Sequence, residues 1–238
     1  MRAESHEAFA SRFAPFGFRR EALATCYAMA ENTFAVTQSD LQGPPTVDRV
    51  SAKRLLSEGD ATPAIGDELT LEIVSCGRPI PGSEIRVVNG AREALAERCI
   101  GQIMLRSNSM LDGYYRRPDL TESALIDGWY ATGDMGYLAD GELFITGRKK
   151  DLIIVGGKNV YPQDLESLAS EVPGVHKGRT VAFGMYDEEE GTEEVVIIAE
   201  ADSADPSDAK REAIADAIRK HVTKSSAIAL RHVKVVDD

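Results

Sequence analysis

Three short stretches hold the residues best suited to chemistry. Thr132-Gly133-Asp134 sets a carboxylate beside a glycine. On a tight turn at a strand end, its two oxygens could accept both hydroxyls of a ribose. The same letters suit a plain surface turn, and spacing alone leaves both readings open. Arg148-Lys149-Lys150 is a basic cluster ahead of the apolar run Leu152-Ile153-Ile154-Val155, which breaks at Gly156-Gly157 and is followed by Lys158. Cations beside a permissive backbone suit an anion or phosphate, and equally a solvated positive edge. The two glycines permit positive φ and close approach of a ligand.

These residues need elements to hold them. Phe9, Phe13 and Phe16 lie three or four apart after Ser5, predicting a small amphipathic helix, and 22–30 reads as a buried strand. A polar, proline-bearing loop follows. From Leu69 to Gly147 the pattern is one of short β segments, 69–74, 84–88, 100–106, 136–138 and 142–146, with Asn89-Gly90 and Asp140-Gly141 as the strongest hairpin signals. After Gly147 the order becomes strand (151–155), helix from Pro162 with Leu165 and Leu168, strands at 180–186 and 195–199, and a helix striped by Ile214, Ile218 and Val222. That succession predicts a compact α+β module.

Composition bounds the partners. The 238 residues are 43% hydrophobic and 28% charged, an ordinary globular balance with room for one large or two modest cores. A net charge of -12 argues against a sequence-independent grip on nucleic acid. The first thirty residues show no signal-peptide core, and no apolar run spans a bilayer, so a cytoplasmic location is expected. Cys26, Cys76 and Cys99 are too few and too scattered for a disulfide framework or a zinc site and read as reduced core residues. The ten acidic residues between Thr180 and Ala209, with no basic one among them, predict a solvated loop and strand edge.

Longer blocks carry a family resemblance. Tyr27-Ala-Met-Ala-Glu31-Asn-Thr33, Ser75-Cys-Gly-Arg-Pro-Ile-Pro-Gly82, Gly128-Trp-Tyr-Ala-Thr-Gly-Asp134 and Gly147 to Glu166 occur in the order of the adenylate-forming enzymes, and the whole of 101–166 resembles them. Within that superfamily, Met29 to Thr33, Val74 to Pro79 and Tyr161-Pro-Gln-Asp-Leu-Glu166 look most like fatty-acyl-AMP ligases. The resemblance implies a mixed α/β and α+β fold. Residues 1–147 would be the C-terminal part of the large adenylation domain, including a β-barrel-like subdomain, and 148–238 a small mobile α+β domain.

It also implies roles. ATP and a fatty acid would give an acyl adenylate, whose acyl group passes to the pantetheine of an acyl carrier protein. Asp134 would hold the ribose hydroxyls and Arg148 would support ribose or phosphate. Glu31 would position magnesium, with Asn32 and Thr33 beside it near the phosphate and base of ATP or AMP. Lys150 falls at the hinge, and Gly156, Gly157 and Lys158 would line the thiol side. Lys149, Lys177 and Arg179 are the cations left over for docking an acidic carrier.

Two departures qualify the match. No phosphate loop ending in lysine precedes Tyr27, and the sequence ends before the family's terminal catalytic lysine. Tyr27-Ala28 also replaces the usual Tyr-Gly. The chain therefore resembles the C-terminal third of a larger enzyme, expected by itself to bind ATP weakly without turnover. An acyl-CoA ligase fragment and a non-catalytic carrier-docking module are the alternatives. Acyl chain length, the acceptor and the oligomeric state are not written in these residues.

Overall fold

The computed structural model describes residues 3–156, 158–188, 190–203, 207–226 and 228–237. Two bodies divide the chain. The first runs to Ser51 and resumes over Asp60–Ile65 and Thr70–Lys149; the second takes Ala52–Gly59, Gly66–Leu69 and the chain from Lys150 onward.

In the first body, helix α1 (Ala3–Phe13) carries Phe9 and Phe13 of the predicted phenylalanines, while Phe16 falls in a 3-10 turn after it; all three stay exposed, and Phe9 packs on Phe13 at 4.6 Å between ring centroids. Only Cys26–Ala28 (β1) of the predicted 22–30 strand is β structure, and Cys26 is exposed, which corrects its reading as a core thiol. The polar loop hides Ala35–Gln38 (β2) and Val47–Ser51 (β3), then helix α2 (Ala52–Glu58), which belongs to the second body. Thr70–Val74 (β4) pairs with β3, and the short Arg78–Pro79 (β5) closes a three-stranded sheet β1-β2-β5.

The larger sheet holds the site. It runs β10-β9-β7-β6, from Ser83–Val88 (β6), Gly101–Ser107 (β7), Trp129–Ala139 (β9) and Glu142–Arg148 (β10). Helix α3 (Pro118–Ala124) and the two-residue β8 (Leu125–Ile126) lead into β9. Asp140 (φ 52°) and Gly141 (φ 74°) join β9 to β10 as a two-residue hairpin, as their sequence predicts. Glu97 accepts both of the turn's N–H groups, at 3.2 and 3.0 Å. Asn89-Gly90 behaves differently: Asn89 Oδ1 accepts the N–H of Ala91 and of Glu93, making a side-chain-capped loop at the end of β6 rather than a tight hairpin. Beneath the sheet, Tyr27, Val36, Ile103, Leu105, Tyr130 and Leu143 pack together. Tyr137 and Phe144 stack at 5.0 Å, and the Tyr137 hydroxyl donates to Asp48, which also pairs with Arg98.

The second body begins with a hairpin of Ile153–Val155 (β11) and Lys158–Val160 (β12), so the predicted strand 151–155 starts two residues late, after a 3-10 turn at Lys149–Asp151. Helix α4 (Pro162–Ser170) buries Leu165 and Leu168 as expected. Val175–Asp187 (β13) and Thr192–Ala201 (β14) form a long antiparallel pair. Helix α5 (Asp208–Ser226) carries the chain over to His232–Val236 (β15), which lies parallel to β14. Alternation decides the faces: Val195, Ile197, Ala199 and Ala201 of β14 point into a core with Leu165, Leu168, Ile214, Ile218 and Val222. Among the described residues no helix is long and apolar enough to cross a membrane.

One buried charge stands out in this body. Asp164, in the first turn of α4, has its Oδ2 sealed from solvent without a hydrogen-bond partner among the described residues. Burial first, and then the neighbouring charge of Glu166, push its carboxyl up to about 7. A carboxyl whose pKa rises on folding contributes stability below its ordinary 3.8 that is lost as pH climbs through the folded value. Asp164→Asn is therefore expected to gain stability over the parent between pH 4 and pH 8, reaching about 1–3 kcal/mol at the upper end, with urea unfolding at a series of pH values as the measurement. A difference between the two proteins that stays constant across that range would show that the carboxyl does not change charge there.

Candidate active site

Asp134 lies inside β9, not on a turn at a strand end, and this corrects the sequence reading. The register between β7 and β9 slips, with Gln102 facing Met135 and Met104 facing Ala131, so Thr132, Gly133 and Asp134 together oppose Ile103 alone. This is a β-bulge, and its residues are those of the motif. Thr132 Oγ1 stitches it, donating to Ile103 O at 2.8 Å and accepting the Asp134 N–H at 3.0 Å. Gly133 takes φ +75° with open space where a Cβ would stand, so backbone conformation rather than crowding selects glycine.

A second slip, between Ile145 and Gly147 of β10, brings Arg148 directly opposite Asp134. Arg148 Nε stands 3.1 Å from Oδ1, and the Tyr27 hydroxyl, from β1, donates to Oδ2 at 2.5 Å. The arginine side chain is 59% exposed against 13% for the aspartate, so the ion pair adds at most about 1 kcal/mol of stability. What the two donors supply is orientation: each carboxylate oxygen has one protein partner and keeps a further lone pair. Burial, then the hydrogen bond to Asp134, push the Tyr27 phenol well above its ordinary range, so it stays an O–H donor.

Glu31 stands on a single 3-10 turn, Ala30–Asn32, between β1 and β2. Its Oε1 accepts the Tyr114 hydroxyl at 3.0 Å, and the hydroxyls of Tyr114 and Tyr130 lie 2.9 Å apart. Burial works against its ionisation, but its own backbone N–H, the two tyrosines and the charge of Arg148 outweigh it and hold the carboxyl below its usual range. Asn32 is buried and occupied at both ends, donating to Ala35 O at 2.8 Å and accepting the Ser107 hydroxyl. Thr33 closes the turn with φ +63° and reaches Ser109 O at 3.3 Å.

The structure thus gathers Asp134 and Arg148 into one contact, with Glu31 within the influence of the same arginine and Asn32 and Thr33 flanking it. Lys150, Gly156 and Lys158 belong to the second body, and Gly157 lies outside the described residues. Lys150 is exposed in the 3-10 turn where the chain leaves the first body. Gly156 has φ +56° and donates its N–H to Thr192 Oγ1 at 2.7 Å; Lys158 is exposed at the start of β12. Of the remaining cations, Lys149 donates to Gln102 at 3.2 Å and Arg179 pairs with Glu200 at 2.6 Å, while Lys177 is exposed. The sequence reading missed the three tyrosines. Tyr27 and Tyr130 stood inside the quoted motifs, and a phenol near an acid is the signal that would have marked them.

No family model matches the chain. Several curated relatives do, and the chain is 36% identical over 216 residues to one of them, a putative acyl-CoA synthetase of Caulobacter vibrioides, covering 90% of this chain and 38% of that protein. It is 34% identical over 215 residues to the medium-chain-fatty-acid–[acyl-carrier-protein] ligase JamA of Moorena producens, which covers 85% of this chain and 36% of that protein. It is 35% identical over 208 residues to the long-chain-fatty-acid–AMP ligase FadD26 of Mycobacterium tuberculosis, covering 81% of this chain and 34% of the relative. One of the solved fatty acyl-adenylate ligases of E. coli and L. pneumophila superposes over 100% of this chain and 42% of its own, with a TM-score of 0.85 at 30% identity. The chain thus spans about a third of the length of the curated relatives it matches. Its strand-rich mixed α/β fold is that of the C-terminal part of such enzymes. With the motifs in order and the fold shared along its whole length, the chain belongs to the adenylate-forming superfamily, on the side of the fatty acyl-AMP ligases.

Proposed function

We propose that this chain supplies the ribose-holding face and the hinge of an enzyme that activates a fatty acid with ATP to an acyl adenylate and passes the acyl group to an acyl carrier protein. The observation that carries the reading is Asp134: a carboxylate on a bulge, oriented through both oxygens and left with acceptor capacity on each. The 2′- and 3′-hydroxyls of a ribose are a vicinal pair of donors that such a carboxylate suits. Arg148 keeps N–H groups and exposure beyond its contact with Asp134, which fits support of ribose or phosphate.

In the first half-reaction a carboxylate oxygen of the fatty acid attacks the α-phosphorus and pyrophosphate leaves with the bonding pair. In the second, the pantetheine sulfur attacks the acyl carbon, AMP departs and the thiol proton is lost. Glu31 fits as one ligand of a magnesium ion otherwise held by water and phosphate oxygens, being a hard oxygen donor held ionised. Bound there, the ion would neutralise charge on the phosphates. Among the described residues no cluster of three potential metal ligands exists, so Glu31 is proposed as a single ligand and not as part of a protein cage. The position of Lys150, in an exposed 3-10 turn where the chain passes from one body to the other, supports its reading as the hinge; the chain changes body between Lys149 and Lys150, two residues after the expected boundary at 147–148. Lys149 and Lys177 are better candidates for carrier docking than Arg179, whose charge Glu200 offsets.

Two measurements on the full-length enzyme carrying this segment test the proposal. Asp134→Ala is expected to lower fatty-acid-dependent ATP–pyrophosphate exchange by about 100-fold or more, since two charge-assisted hydrogen bonds at about 1.5–3 kcal/mol each are lost. Exchange within twofold of wild type would remove the ribose assignment. Lys150→Pro, which fixes φ near −65°, is expected to slow acyl transfer to the carrier at least tenfold while adenylate formation stays within about threefold. Equal loss in both half-reactions would sink the hinge.

A further inference from the structure

We infer that Tyr114 and Tyr130 are positioning residues for the Glu31 carboxylate, two phenols in series that fix the direction in which it is offered to a bound cation. The inference deepens the proposed reading of the site and rests on it.

A glutamate on a three-residue turn has no helix or strand to restrain it, and its side chain would otherwise sample several rotamers. Here it is restrained from two directions. Its carbonyl oxygen accepts the Leu111 N–H at 2.8 Å, which ties the turn to the loop after β7. From that same loop comes Tyr114, whose hydroxyl donates to Oε1 at 3.0 Å. The loop is itself pinned, Tyr114 N–H donating to Thr121 Oγ1 at 2.9 Å and Arg117 N–H to Tyr114 O at 3.0 Å.

Proton counting gives the pair a direction. Each phenol has one hydrogen, and that of Tyr114 goes to the carboxylate. The 2.9 Å contact between the hydroxyls is then a donation from Tyr130 to Tyr114. Tyr130, 6% exposed on β9, belongs to the core that Tyr114 packs against, so the far end of the relay is anchored in the sheet that also carries Asp134. Hydrogen bonds in series polarise one another, so the second phenol strengthens the first.

The test uses the full-length enzyme carrying this segment and the variants Tyr114→Phe, Tyr130→Phe and both together, which keep the rings and their packing. Two quantities are read: the magnesium concentration for half-maximal ATP–pyrophosphate exchange, and the calorimetric affinity for a non-hydrolysable acyl-sulfamoyl-adenosine, whose binding calls on Asp134 and needs no metal. A positioning role predicts that Tyr114→Phe raises the magnesium requirement about 5–10-fold while the rate at saturating magnesium and the analogue affinity stay within about twofold. Tyr130→Phe should move the same quantity less, and the double variant less than the sum of the two single effects, because Tyr130 acts on Glu31 chiefly through Tyr114 and only secondarily by its own reach to the carboxylate. An unchanged magnesium requirement, additive effects, or a collapse of analogue affinity in Tyr114→Phe would each overturn the inference, the last by showing that the phenols only hold the site folded. Absence of exchange activity in the wild type with any fatty acid would overturn the parent reading and the inference with it.

Discussion

The carboxylate of Asp134 is tied through both oxygens, and the rest of the first body is arranged so that this can happen. Oδ1 needs Arg148, which is opposite only because β10 slips register between Ile145 and Gly147. Oδ2 needs Tyr27, which is in reach because the β1-β2-β5 sheet packs its tyrosine against Ile103, Leu105 and Leu143. Gly136 shows how closely the strands are set: a Cβ there would stand 2.2 Å from Phe144 O. The energy of the exposed ion pair is small, so the constraint is geometric, and the sheet supplies it.

The two acids of the site are handled alike. Asp134 and Glu31 each take the hydroxyl of a tyrosine whose phenol burial keeps protonated, and Arg148 lies near enough to favour the charged form of Glu31. In a chain of net charge -12, a phenol donor fixes the Glu31 carboxylate without cancelling its charge, leaving that charge for a cation, whereas Asp134 also pairs with Arg148 through its other oxygen. A lysine in the same place would have made a closed ion pair.

Much of this was legible in the sequence, for identifiable reasons. Helices α4 and α5 announced themselves through Pro162 and the Ile214, Ile218, Val222 stripe, and the β9–β10 hairpin through Asp140-Gly141, because local patterns set those elements. Strands β2 and β3 and helix α2 were invisible: each is four to seven residues long, and tertiary burial rather than periodicity stabilises them. The acid–base partners of the motifs were named from their letters, but the bulge that displays Asp134 was read as a turn. A glycine at positive φ serves both, and only the neighbouring strand distinguishes them. The phenols went unremarked since tyrosine in a strand looks like ordinary core.

The two register slips also have an evolutionary side. Asp134 and Arg148 face each other across a ladder in which side chains alternate, so a single residue inserted or lost between them would turn one partner to the opposite face of the sheet. The interval from one to the other is thereby length-locked, whereas the side-chain-capped loop at Asn89 can change length without disturbing that pair. Among the connections of this sheet, the β9–β10 turn should thus tolerate insertion least, although it is exposed to solvent.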